Sequence, residues 1–193
     1  MLFRSPGPWE TLGHGGSAYA LTTYRDRHGR LTGTAWLRGG GGPGAGWSGM
    51  LSLPVLLSAR PGGGVAVAPH PDVDTLRGPP LPVRGGRCEL DGHADLDVEL
   101  DPGATLRLAG EPEDRGGVEL AAAPGGLVVD REVRVPTRDR RLRVVVDRGV
   151  VEAWTADGRW IALRRPYLDV RSATVAPRGR LAAYRLAAGP ACG

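Results

Sequence analysis

Carboxylates are the side chains in this sequence best suited to chemistry, and one group of them stands out by its spacing. Asp95, Asp97 and Glu99 occupy alternate positions of Ala-Asp-Leu-Asp-Val-Glu-Leu over residues 94–100. Neighbouring carboxyl groups could share acid/base work. The alternation argues for something simpler. A period of two puts the three acids on one strand face and Leu96, Val98 and Leu100 on the other, so the acids read as a solvated outer face. His14, His28, His70 and His93 each adjoin Gly or Pro. They are expected in surface loops, with no metal-ligand spacing. Cys88 and Cys192 form no C-x-x-C pair, which excludes zinc and thiol-redox motifs. Two free thiols are expected, and a single disulfide between them stays open. No cofactor or metal is expected.

Composition narrows the function classes further. The 193-residue chain carries a formal net charge of +4, yet it has no Lys, Asn or Gln and its only Ile is Ile161. All fixed positive charge is therefore Arg, the signature of a GC-rich coding preference. Acids are interspersed with it, as in Arg25-Asp26-Arg27 and Arg138-Asp139-Arg140-Arg141. Such a surface reads as solvated and mixed, and no nucleic-acid partner is expected. The first residues, Met1 to Pro8, contain no apolar run of signal-peptide length, and no stretch could span a membrane as a helix. No membrane partner is expected, and the sequence leaves localisation and oligomeric state open.

The elements that would position these residues are strands. With 31 Gly and 17 Pro, long helices are disfavoured and short elements joined by turns are favoured. Tyr19–Tyr24 and Leu31–Leu37 read as a hairpin, followed by strand-like residues from Trp47 to Leu57. That unit resembles one blade of a propeller. Strands are further expected at 94–100, 105–108, 118–120, 141–146, 150–154, 160–163 and 181–186. Asp101-Pro102-Gly103, Asp147-Arg148-Gly149 and Ala156-Asp157-Gly158 supply turns. Short strands at this spacing indicate a β-sandwich. The apolar faces of 142–146 and 150–154 are expected to point into it, with Trp154 as a large buried contact.

Three segments carry a family resemblance, in order. The first is Tyr19-Ala20-Leu21-Thr22-Thr23-Tyr24 with Asp26, Gly29-Arg30 and Ala35-Trp36-Leu37. The second is Gly46-Trp47-Ser48-Gly49-Met50-Leu51-Ser52-Leu53-Pro54. The third runs from Leu142 through Asp147, Gly149 and Glu152 to Trp154, preceded by Asp130-Arg131. Together they resemble the late-blade and sandwich signatures of glycoside hydrolase family 32, the levanase, inulinase and invertase group. Trp47, Pro54, Asp147, Glu152 and Trp154 are its structural signature positions here. Four departures stand out. Val55-Leu56 follow Pro54 where the family has Arg-Glu. Gly149 replaces Ser, and Trp154 replaces Phe. Ser17-Ala18 stand where the family has Asp-Phe.

The resemblance implies a retaining mechanism with an Asp nucleophile, a Glu acid/base and a further Asp that binds fructose hydroxyls. The family holds them in Asn-Asp-Pro, Glu-Cys and Arg-Asp-Pro motifs of earlier blades. None of these motifs occurs here. Phe3-Arg4-Ser5-Pro6 is a coincidental echo of the last, and Cys88-Glu89 has the reverse order. No catalytic residue is therefore assigned. Asp147 and Glu152 are expected to fix hairpin geometry through backbone hydrogen bonds. Tyr19 and Trp36 are the candidate substrate-binding residues, since aromatic faces stack on sugar rings. The weightier expectation is that both pack inside the blade.

The sequence thus reads as all-β: residues 1–76 as the last blade of a five-bladed β-propeller, and 77–193 as a lectin-like C-terminal β-sandwich. Pro79-Pro80-Leu81-Pro82 reads as a stiff linker between them. The expected function is that of a C-terminal fragment of a fructan- or sucrose-cleaving enzyme, inactive alone, with a β-fructoside as the possible partner. The alternative is a standalone carbohydrate-binding or structural sandwich module. Sucrose, inulin and levan are not distinguished.

Overall fold

A computed structural model describes residues 10–40, 48–60, 63–111, 116–165 and 168–187. Its strands are β1 Gly13–His14, β2 Ala18–Arg25, β3 Leu31–Gly40, β4 Ser48–Leu51, β5 Val55–Ala59, β6 Val65–Pro69, β7 Arg77–Leu81, β8 Val83–Arg84, β9 Arg87–Glu89, β10 His93–Leu100, β11 Thr105–Glu111, β12 Val118–Ala123, β13 Gly126–Val129, β14 Val133–Pro136, β15 Arg141–Asp147, β16 Val150–Thr155, β17 Trp160–Arg164, β18 Asp169–Ala176 and β19 Gly179–Leu186. A 3-10 turn spans Pro71–Leu76. The fold is all-β, as the alternation and turn chemistry predict.

The strands form three layers. A five-stranded sheet, the one the sequence reads as a blade and so called below, has the order β2-β3-β5-β6, with β4 also on β3. An inner seven-stranded sheet has the order β1-β17-β16-β15-β10-β19-β7, and an outer one β14-β13-β12-β11-β18-β9-β8. Inner and outer sheets enclose the sandwich core, which includes Leu96, Val98, Leu100, Leu106, Leu108, Leu120, Val144 and Ile161. The predicted inward face of 94–100 is correct. β1 precedes the blade strands in the chain yet joins the sandwich, pairing Gly13 with Trp160 and His14 with Ile161.

A second apolar core joins the layers. Ala35, Leu37, Val55 and Val67 of the blade pack with Val145, Val150, Trp154, Trp160 and Ala162 on the far face of the inner sheet. This corrects the expected direction of Trp154. Within β16, Val151 and Ala153 enter the sandwich core, while Val150 and Trp154 face the blade. Trp154 is buried, 2% exposed, but between layers rather than within the sandwich. β16 and β17 are buried along their whole length because both of their faces are covered.

The proline run is also not a linker. Pro79 and Pro80 lie in β7, which pairs with β19. β7 ends the inner sheet, and proline is tolerated on an edge strand because no ladder hydrogen bond is lost on the open side.

Candidate functional site

The two aromatics proposed for sugar contact are neighbours on the blade. Tyr19 on β2 sits opposite Trp36 on β3. Their rings meet edge to face at 6.2 Å and 67°. The Arg38 guanidinium lies 4.8 Å from the centre of the Tyr19 ring. Neither ring is inside the blade. Tyr19 is 54% and Trp36 40% exposed, with Leu51 of β4 at 71% beside them. The weightier sequence expectation, interior packing, is therefore wrong for both. Alternation accounts for this: Ala35 and Leu37 face the inner sheet, so Trp36 must face the other way. The Trp36 indole lies over Gly49, where a Cβ would fall 1.7 Å from Nε1, so only glycine admits the ring there.

The signature residues converge elsewhere, where blade meets sandwich. Glu152 Oε1 accepts the Leu53 amide at 2.7 Å, and Oε2 accepts Trp160 Nε1–H at 3.1 Å. Pro54 follows Leu53, and its carbonyl accepts the His70 amide at 2.9 Å. The second and third resemblance segments thus meet through one hydrogen bond. Burial pushes the Glu152 carboxyl up to about 7, against the two donated hydrogen bonds, which favour the charged form. Glu152 does take a backbone donor, but across the interface rather than within its own hairpin. Asp147 is at the rim, facing His93 Nδ1 at 2.9 Å. Trp47 lies outside the described residues, as do Phe3-Arg4-Ser5-Pro6 and Cys192. Cys88 is a buried free thiol, raised by its burial.

Two of the departures have local explanations. Arg148 and Gly149 both have positive φ, 43° and 79°, as a two-residue hairpin turn requires. A Cβ at Gly149 would lie 2.3 Å from the Arg165 carbonyl oxygen, so glycine suits this turn where serine would not. Ser17 is buried, and its Oγ accepts the Arg164 amide at 2.9 Å, tying the start of the blade to β17.

Other polar groups differ from their sequence reading. Asp95 is fully buried, not solvated. Its carboxylate accepts from Arg77 Nε and Nη2, each at 2.9 Å, and from Arg143 Nε at 3.1 Å and Nη2 at 2.7 Å. Burial pushes its pKa up, but the two guanidiniums outweigh that and hold it below the ordinary value. Arg77 also binds Asp97, and Arg143 binds Asp74. His14 and His70 are buried rather than in exposed loops. His70 Nδ1 accepts the Asp72 amide at 3.2 Å, and Nε2 lies 3.1 Å from Asp26 Oδ2 and 3.2 Å from Arg30 Nη2. Asp26 also receives the His28 and Arg30 amides and the Arg30 side chain. This cluster closes the β2–β3 turn onto the residues after β6. It lines a cavity of about 270 Å³.

A groove of about 990 Å³ runs between β6 and the inner sheet, lined by Ala68, Pro69, Asp97, Arg141, Trp154 and Arg180 among others. Tyr19 and Trp36 do not line it. The structure therefore does not bring the sequence-predicted aromatic pair and this groove together. Among the described residues no group of three or more His, Cys, Asp or Glu could hold a metal ion. No described helix is long and apolar enough to cross a membrane.

No family model and no curated protein matches this sequence. Solved structures do match. A Bombyx mori glycoside hydrolase family 32 β-fructofuranosidase, in a variant complexed with sucrose, superposes with TM-score 0.78 at 21% identity over 95% of this chain. The chain shares the fold of the part of that enzyme it covers. A family 32 structure from Bifidobacterium adolescentis matches 91% of the chain with TM-score 0.71 and 24% identity. Sucrose-6-phosphate hydrolase from Lactobacillus gasseri matches 91% with TM-score 0.70 and 14% identity. The chain spans less than half of each of these structures: 44%, 32% and 42% respectively.

Proposed function

We propose that these residues are the C-terminal portion of a β-fructosidase of family 32: the last propeller blade, residues 1–76, and the sandwich, residues 77–193. In this reading they carry no catalytic carboxylate of their own. The observation that supports it is the superposition on 95% of this chain but 44% of a sucrose-complexed β-fructofuranosidase. The three sequence segments point the same way, because two of them meet at Glu152 and Leu53. Three of the described carboxylates are occupied. Asp95 is held by two arginines, Asp26 by Arg30 and His70, and Glu152 by two donors inside an interface. None is presented with a second, free carboxyl as a retaining pair requires. The portion's role is then structural: a β-sandwich clamped to a blade, which buttresses a propeller that binds a β-fructoside.

The test is fructose release from sucrose, inulin and levan by the purified 193-residue chain. No release above a no-protein control is expected. Release that persists in preparations free of host invertase would overturn the reading.

A second reading, a carbohydrate-binding module, draws on the exposed Tyr19–Trp36 pair. Stacking on a sugar would bury both rings. Quenching of indole fluorescence by a fructo-oligosaccharide, lost in Trp36→Ala, would favour it over the structural role.

A further inference from the structure

The face of the sandwich turned away from the blade has an unusual make-up. Strands β11 and β12 alternate strictly. Leu106, Leu108, Val118 and Leu120 enter the core, so Arg107, Ala109, Glu119 and Ala121 face outward. Exposed sheet faces ordinarily carry long polar side chains. Here alanines leave a shallow basin of about 620 Å³ rimmed by Arg87, Arg107, Arg131 and Glu119. Its charge is net positive. Two of the arginines are partly neutralised, Arg87 by Glu89 at 2.7 Å and Arg131 by Glu119 at 3.2 Å. Arg107 is exposed and has no ion pair or hydrogen bond among the described residues. It also borders a second, adjoining cavity of about 270 Å³.

We infer that this basin is a binding site for an acidic sugar residue, a uronate, with Arg107 taking its carboxylate. A guanidinium fork matches a planar carboxylate through two parallel hydrogen bonds, which a neutral sugar cannot offer. The alanine floor accepts the flat apolar side of a sugar ring. The Glu119 carboxylate can accept from ring hydroxyls. The basin has no aromatic platform for stacked bases. Its volume suits one or two sugar rings. The inference stands apart from the family reading, since the basin lies on the opposite side of the sandwich from the blade.

The experiment is a titration of the ¹⁵N-labelled full chain with tri-galacturonate, followed by amide shifts. Parallel titrations use a neutral fructose trisaccharide, inorganic phosphate and a single-stranded oligonucleotide. Saturable shifts confined to β11, β12 and their neighbours are expected with tri-galacturonate alone, weakening as salt is raised. Arg107→Ala should lower the affinity about tenfold, the scale of one charge-assisted pair. Arg107→Lys should restore part of it. The Arg107 side chain faces solvent, so both variants should keep the wild-type spectrum elsewhere. The inference is overturned by no saturable shift, by binding that Arg107→Ala leaves unchanged, or by the neutral trisaccharide, phosphate or oligonucleotide binding as tightly.

Discussion

Glu152 Oε1 lies 2.7 Å from the Leu53 amide nitrogen, across 99 positions of the chain. The hydrogen bond joins a blade loop to the central strand hairpin of the sandwich. Around it stand Trp154, Trp160, Val55 and Leu37, all buried. A carboxylate in such surroundings is costly unless donors satisfy it, and Leu53 and Trp160 are the donors. Blade and sandwich therefore share an apolar core with a satisfied carboxyl group inside it.

Stability should depend on pH through this group. Its folded pKa is raised from 4.5 to about 7. A raised carboxyl pKa means the native state holds the proton more tightly than the unfolded chain. The associated stability is present below pH about 4.5 and is lost as pH rises through about 7, on the order of 3 kcal/mol in total. Glu152→Gln removes the titration. Denaturant midpoints measured from pH 5 to pH 8 should fall for the wild type relative to this variant. Parallel profiles would show that Glu152 does not titrate there.

Trp154 should matter only when the blade is present. In the full chain Trp154→Ala leaves a cavity in the shared core and should cost about 3–5 kcal/mol. In a 77–193 fragment the same side chain faces water, and the substitution should fall within about 0.5 kcal/mol of neutral. Urea unfolding of the four proteins checks this. An equal loss in both contexts would place Trp154 in the sandwich core instead.

The fragment itself should fold, since its core lies between the outer sheet and an inner sheet that loses only β1. It will also expose Val145, Val150, Trp154, Trp160 and Ala162 as one patch. It should bind a hydrophobic dye and self-associate more than the full chain. A monomeric fragment without dye binding would mean the blade covers little.

Asp95→Asn should cost roughly 3 kcal/mol, the lower end of the range for breaking a buried ion pair. Arg77 keeps Asp97, and Arg143 keeps Asp74, which limits the loss. Thermal unfolding gives the value. A neutral outcome would show that the network is screened by solvent.

Much of this fold was legible in the sequence, and the failures come from contacts distant in the chain. Strands such as 94–100 and 141–147 declare themselves by alternation, because one face meets a core and the other carries charge. Alternation cannot say what covers the second face. Asp95 read as solvated because nothing local predicts that Arg77 and Arg143 fold over it. Trp154 read as sandwich core because the strand that carries it is buried on both faces, so the period does not say which face meets which layer. Pro79 and Pro80 read as a linker because propensity argues against strand, and edge position overrides it. His70 gave no signal, since its partner Asp26 is 44 residues away. For the site, Glu152 and Pro54 were found through the signature, while Trp160, the second donor to Glu152, had no motif to mark it.

The central structural claim is that blade and sandwich are one body locked at Glu152. Hydrogen exchange of the Leu53 amide, read by NMR in the wild type and in Glu152→Ala, tests it most directly. In the wild type that amide donates into a buried interface and should exchange only with global unfolding, as slowly as Val144 in the sandwich core. In Glu152→Ala the Leu53 amide should exchange much faster than Val144, because the interface then opens on its own. Fast exchange at Leu53 in the wild type, or equal protection of Leu53 in both proteins, would contradict the account.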